Sequence, residues 1–209
     1  MKTPKRLALA LMVAGFALTA CSSAQPGTAA IVGSDRITAS RLDADVREAQ
    51  AALAKDPSAQ QQQSSLSLPQ MALLQLVEVS RYDQLARKDG VAVTNGEVDG
   101  FISAQGGLPQ VQRTLLGQGV APSMTRDYIR AFLTAQKLLA KHGGGTDEAA
   151  LQRGQEQLVK DLQAIPVSYS PRYGKFDPQT GVFIDSDRFG KTAGPAGGAA
   201  GDPAAPPIQ

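Results

Sequence analysis

The stretch from Leu68 to Lys88 constrains this chain more than any other. Met71, Leu73, Leu74, Leu76, Val77 and Val79 leave only Gln75 and Glu78 polar in its first half. A helix that is apolar over most of its circumference must be covered over most of it, so the pattern predicts a central helix sheathed by others. Its second half narrows to Tyr82, Leu85 and Ala86. Gly90 supplies a residue that takes the left-handed conformation and ends it.

Helices to sheathe it are written on both sides. From about residue 40 to 54, Leu42, Val46 and Leu53 share a side, with Thr38 or Ser40 as the cap. Thr94-Asn95-Gly96-Glu97 is a capping box that opens a short helix carrying Val98, Phe101 and Ile102. Gly106 and Gly107 break it, and a second short helix runs from Leu108 to Leu116. Pro122 suits a first helical turn. Met124, Tyr128, Phe132, Ala135 and Leu139 then recur at steps of about four, predicting an amphipathic helix that Gly143 to Gly145 stop. Lys137, Lys141 and His142 near its end favour the helix dipole. Thr146 is the expected cap of the next helix, whose stripe is Leu151, Leu158, Leu162 and Ile165, with Pro166 ending it. The polar, aperiodic run from Lys55 to Pro69 is expected to be a loop.

The two ends of this array read differently. Ile31-Val32 and Ile37-Thr38 flank a Gly33-Ser34 turn, and Val167-Ser168-Tyr169-Ser170 alternates as a half-buried strand does. A lone short strand is not stable in water. The economical arrangement pairs the first strand with the last, and Pro171 to Phe176 is expected to finish that sheet. Asp177 to Gly181 is a turn signal that can return Val182-Phe183-Ile184 as a hairpin. The predicted fold is therefore mainly α: a single domain of five or six helices with a small sheet joining its N- and C-terminal strands.

The start of the chain carries a different message. Lys2, Lys5 and Arg6 precede an apolar run from Leu7 to Leu18, about a dozen residues and too short to span a bilayer comfortably. Leu18-Thr19-Ala20 then leads to Cys21, the only cysteine in 209 residues. This matches the lipobox of bacterial lipoproteins. The resemblance implies export, cleavage before Cys21 and diacylglycerol on its thiol. The expected organisation is a signal peptide over 1–20, a small polar tether over 21–29, the domain over 30–186 and a disordered Gly/Pro/Ala tail over 187–209. With its one cysteine lipidated the mature chain forms no internal disulfide, so packing alone must stabilise it. Aromatic residues are 5% and tryptophan is absent, so Leu, Val, Ile, Ala and Met must build the core, which suits helices. Lys and Arg number 21 against 19 Asp and Glu. Without the leader's three positive residues the count is 18 against 19, net about −1, which gives no electrostatic reason to expect nucleic acid as a partner.

No residue set stands out for chemistry. His142 is the only histidine, and no second histidine or free thiol completes a zinc site. Asp185 and Asp187 lie in no calcium-loop pattern. Gly143 to Gly145 lack the Lys-Ser/Thr of a phosphate loop. Ser64, Ser65 and Ser67 have no base to activate them. The expectation is no enzymatic activity, no metal and no cofactor beyond the lipid on Cys21.

Four segments taken in order resemble the N-terminal core of SurA- and PrsA-type extracytoplasmic foldases. Ile31-Val32-Gly33 with Ile37-Thr38 is similar to the family's opening strand and cap. Leu73 to Glu97 is similar to its long helix and the Val-Thr capping segment that follows. Thr125 to Leu139 is similar to the next paired helix, and Val167 to Asp177, with Pro171-Arg172-Tyr173-Gly174, to the closing strand. The set covers about residues 30 to 185 and looks closest to SurA N-terminal-domain lipoproteins. It departs from many relatives in one respect. Only His142 to Gly145 joins the last two long helices, which leaves no room for a parvulin prolyl-isomerase insert, and the paired histidines of parvulin sites are missing.

What the resemblance implies is a chaperone at the extracytoplasmic face of a membrane, held by lipid, that needs no ATP and binds unfolded or newly exported polypeptides. Met71, Phe101, Met124, Tyr128 and Phe132 are candidates to line its peptide groove, because flexible apolar side chains accept many sequences. Each has a plainer reading as core. A structural or adaptor lipoprotein with one folded partner is the alternative, and an active prolyl isomerase a distant third. The anchor is directly testable. Cys21→Ser removes the only acyl acceptor and should shift the protein from the membrane to the soluble fraction. Full retention on membranes, with no change in mass, would refute the lipobox reading.

Overall fold

In the computed structural model, residues 26–56, 59 and 66–184 are described. The leader, Cys21, most of the tether, much of the Lys55–Pro69 loop and the tail lie outside them. The order is β1 (Thr28–Val32), β2 (Asp35–Thr38), α1 (Ala39–Lys55), α2 (Leu68–Asp89), α3 (Asn95–Ala104), α4 (Leu108–Leu116), α5 (Thr125–Gly143), α6 (Glu148–Gln163), β3 (Val167–Tyr169), β4 (Lys175–Asp177) and β5 (Val182–Ile184). Single 3-10 turns occupy Pro122–Met124 and Pro171–Tyr173. The fold is mainly helical with small antiparallel sheets, as the sequence predicts. Among the described residues no helix is long and apolar enough to cross a membrane.

Local chemistry sets most of the boundaries. Thr38, not Ser40, caps α1, accepting from the Arg41 N–H at 3.2 Å. Thr94 and Glu97 form the expected capping box at the head of α3, with bonds of 3.2 and 2.8 Å. Gly90 ends α2 at φ 63°. The cap of α6 is Asp147 rather than Thr146. The Asp147 carboxylate accepts from the Ala150 N–H at 2.9 Å, and a negative charge there also meets the positive end of the helix dipole.

The sheet joins the ends of the domain. β1 lies between β2 and β3, with Ala30 opposite Tyr169, Ile31 opposite Ser168 and Val32 opposite Val167. Gly33 closes the β1–β2 hairpin at φ 53°, and its N–H reaches the Pro166 carbonyl at 2.8 Å. Gln84 of α2 fastens this corner to the helices, donating to the Val32 carbonyl at 2.8 Å. Two expectations fail here. Thr28 and Ala29 are buried in β1, so the domain begins before residue 30. Pro171 to Phe176 does not extend the sheet. Pro171 has no N–H to give a ladder and instead starts a 3-10 turn, after which Gly174 turns the chain at φ 101°. β4 then pairs with β5 as a separate hairpin, Phe176 opposite Phe183.

The main core gathers around the first half of α2, where Met71, Ala72, Leu73, Leu76 and Val77 are buried in one cluster with residues of β1, α1, α3, α4 and the start of α5. A smaller cluster of Leu85, Leu138 and Leu158 joins the far ends of α2, α5 and α6. The buried face of α5 is rotated from the predicted stripe. Thr125, Ile129, Ala131, Thr134 and Leu138 are buried, because α2 and α6 cover adjoining sides of the helix. On α6 the buried positions are Ala150, Gly154 and Leu158, while Leu151 is 44% exposed. Gly154 and Gly143 explain the shift. A Cβ on Gly154 would overlap the Leu139 carbonyl oxygen, and one on Gly143 the Ala150 carbonyl oxygen, so the two helices touch backbone to backbone.

In an exposed helix, Gly→Ala gains about 0.5–1 kcal/mol from propensity. Gly154→Ala should reverse that sign. Forcing α5 and α6 apart costs about 1–3 kcal/mol, so the melting temperature should fall by several degrees. An unchanged or higher melting temperature would show that the helices have slack at this point.

Candidate functional site

Glycine breaks on either side of α4 fold the segment after α3 back against α5. The result is an open groove of about 330 Å³ between α3, α4 and α5. Its apolar walls are Phe101 from α3, Val111 and Leu115 from α4, and Tyr128, Ile129 and Phe132 from α5. Phe101 and Phe132 touch at a tilt, with ring centroids 5.5 Å apart, and Phe132 is 40% exposed. Leu108, at the start of α4, is exposed at 37%. Gln105, Gln110 and Gln118 line the same groove. No lining side chain is charged. Burial, aided by Glu78, holds the Tyr128 phenol above its ordinary range, so it stays a neutral hydroxyl; it lies 3.5 Å from the Gln118 amide oxygen.

Such a surface has a definite chemical character. Aromatic walls remove apolar side chains from water at roughly 25 cal/mol per Å². Primary amides offer both donors and acceptors, so they can bond the main chain of a polypeptide whatever its side chains.

The structure brings together Phe101, Tyr128 and Phe132 of the five expected groove residues. It removes the other two. Met71 is 7% exposed and Met124 1%, both in the main core. Met71 lies where α2 passes under the tight Gly119 turn, and Met124 is the last residue of the 3-10 turn that leads into α5. Val111, Leu115 and the three glutamines were not anticipated as lining. The apolar pair at i and i+4 on α4 was the available signal.

Polar ties hold the walls in place. Lys137 of α5 donates to the Ala92 carbonyl at 2.7 Å and pairs with Glu97 of α3 at 2.6 Å. Arg130 reaches Asn95 at 3.0 Å and Arg126 reaches Asp99 at 2.6 Å. Gln112 of α4 donates to the Pro122 carbonyl at 3.2 Å, and Gln75 of α2 to the Gln118 carbonyl at 3.2 Å.

Among the described residues, one group has the composition of a metal site: Asp89, His142 and Asp161, with potential ligand atoms within 4.8 Å of one another. His142 bonds Asp89 at 3.1 Å and faces Asp161 at 3.7 Å from its other ring nitrogen. The Lys88 ammonium already sits 2.8 Å from Asp161 and holds that carboxyl below its ordinary range, and Lys141 donates to the Asp89 carbonyl. The Lys88–Asp161 pair and the His142–Asp89 bond make the group a clasp between α2, α5 and α6, with the His142 Nδ1 buried and without a hydrogen-bond partner. His142 thus has a structural task beyond ending a helix. Asp185 and Asp187 lie outside the described residues.

The SurA-like N-terminal domain family matches residues 3–139 of this chain. No curated protein and no solved structure is similar enough to match. The matched span contains every wall of the groove and stops before α6 and the closing strand.

The α3 cap gives the groove a pH dependence. Lys137, then the Thr94 N–H and hydroxyl, hold the Glu97 carboxyl at about 2, against an ordinary value of 4.5. A carboxylate with a depressed folded-state pKa contributes stability above its unfolded pKa and loses it as pH falls through the folded one. The α3–α5 tie should therefore be intact at neutral pH and weaken as pH drops from 4.5 toward about 2. Glu97→Gln keeps a capping-box partner but not the charge. Its melting temperature should fall less steeply over that range, and parallel curves for the two proteins would show that Glu97 has no such role.

Proposed function

Since the chain belongs to the SurA-like N-terminal domain family, we propose that it is a chaperone that captures unfolded, newly exported polypeptides on the α3–α4–α5 groove and releases them without ATP. Lipid on Cys21 anchors it to the extracytoplasmic face of a membrane. The observation that carries the reading is the uncharged groove itself, with the Phe101–Phe132 pair open to solvent and an amide rim around it. An apolar floor with main-chain-compatible polar groups suits many sequences and selects for none, as a holding chaperone requires. Ser22 to Gly27 is all that separates Cys21 from β1. Six extended residues reach about 20 Å, so the domain would work close to the surface where exported chains emerge.

Nothing in this mechanism breaks a bond. Capture trades apolar side chains of the client from water to the groove, and release follows when the client's own core competes for them.

The test is aggregation of an unfolded client in the presence of the purified protein. The wild type should suppress it in proportion to its concentration. Phe132→Ala removes an exposed ring that contributes little to the core, so it should leave the melting temperature nearly unchanged. It should weaken client binding about tenfold, the scale of one aromatic anchor in an interface. No suppression at several-fold excess would sink the proposal. So would crosslinking in cells that recovers a single stoichiometric folded partner.

A further inference from the structure

Away from the groove, β3 is the outer strand of the three-stranded sheet. In an antiparallel ladder, opposed residues alternate between pairs that exchange hydrogen bonds and pairs that do not. Gly33 bonds the Pro166 carbonyl, and Ser170 bonds the Ala29 carbonyl, both at 2.8 Å. Counting inward through the register, Ile31 and Ser168 are the exchanging pair between them. Val167 and Tyr169 therefore turn their N–H and C=O groups away from β1. Among the described residues nothing bonds these four groups.

They border an open cleft of about 650 Å³ between β3, β4 and the side of α2. The Tyr169 and Phe176 rings, 4.7 Å between centroids, bring β3 and β4 into contact beside it. Two cations line it, Arg81 of α2 and Lys175 of β4, and no acidic side chain does. Neither cation is ion-paired among the described residues. Arg81 donates to the Ile165 carbonyl at 3.3 Å, while its Nε is buried without a partner.

An open strand edge in a cationic cleft has a defined complement. Donors and acceptors repeating every second residue match an extended polypeptide backbone. Two unpaired cations beside them match carboxylates on that polypeptide. We infer that this cleft is a second binding site, where an acidic segment of an unfolded polypeptide adds to the free edge of β3 as a fourth strand and places carboxylates against Arg81 and Lys175. The site is separate from the groove and reads different features of a chain: its backbone and its negative charge, rather than its apolar side chains.

The experiment is residue-resolved amide hydrogen exchange on the full chain, with a short end-blocked peptide of alternating valine and glutamate as probe. At saturation, exchange at Val167 and Tyr169 should slow by about tenfold or more, as newly bonded amides do. Ser168, already bonded to β1, should change little. A valine–lysine peptide, or the glutamate peptide methylated on its backbone nitrogens, should give no slowing. Arg81→Gln and Lys175→Gln should each weaken binding by about tenfold, the equivalent of one charge-assisted hydrogen bond. The Lys175 side chain is exposed and makes no hydrogen bond or ion pair among the described residues, so its variant remains informative if the loss of the Arg81–Ile165 contact disturbs folding. Phe132→Ala should bind the probe like the wild type, which separates failure of this site from failure of the groove. Unchanged exchange at Val167 and Tyr169 overturns the inference, as does equal binding of the lysine peptide. Slowing that follows protein concentration rather than peptide would overturn it too, by making the edge a contact between two copies of this chain.

Discussion

Two helices meeting backbone to backbone set the position of much else. Where α5 and α6 cross, Gly154 lies on the Leu139 carbonyl and Gly143 on that of Ala150, and this pair makes the most extensive contact between elements among the described residues. The close approach fixes how far α5 stands from α6, while α2 covers the adjoining side of α5. Once Ile129, Ala131, Thr134 and Leu138 turn inward, Phe132 is left facing outward beside Phe101. Leu139 and Gly143, where α6 sits, fall on the same face of α5 as Phe132, two and three turns further on, so the ring stands on the stretch of that face that α6 does not reach. The Asp89–His142–Asp161 clasp locks the far ends of these helices, and the Lys137–Glu97 pair carries the positioning across to α3.

Features written in a few consecutive residues were legible in the sequence. The Thr94–Glu97 box, the Gly90 stop, the all-round apolar character of α2 and the pairing of terminal strands each follow from local chemistry or from the instability of a lone strand. What failed depended on neighbours that sequence does not place. The α6 stripe holds at Leu158, Leu162 and Ile165, which pack into the smaller cluster, and fails at Leu151, because a glycine counts for nothing on an apolar stripe, yet Gly154 is the point of closest contact. The sequence shows the α5 stripe as one line of large residues, whereas a helix covered from two sides buries small ones, Ala131 and Thr134, between its partners. Met71 and Met124 have the flexible chemistry of a binding surface, but their positions on α2 and beside the Pro122 turn put them in the core. At Pro171 the missing N–H was a signal in plain view, and reading the segment as extended overlooked it.

On the proposed reading, the groove and the β3 edge would divide the recognition of an unfolded chain between two kinds of contact. One offers dispersion and the release of water from rings, with amides to tolerate whatever backbone passes. The other offers directional main-chain bonds and charge. Apolar contact is largely indifferent to salt, whereas the cationic cleft is screened by it. A client that touches both sites would be held by terms that respond differently to its surroundings.

The partners of β1 arrive at very different times. β2 follows after two residues, so that hairpin is complete as soon as its own residues exist. β3 comes after every helix, and the entropy of closing so long a loop must be met before any bond between them forms. Contacts so distant in sequence form late in folding. In a chain made from its N-terminus, all six helices are available to pack before Val167 to Tyr169 exist. The helices are thus the seed of the fold and the sheet is its seal, shut by one of the last strands to be made.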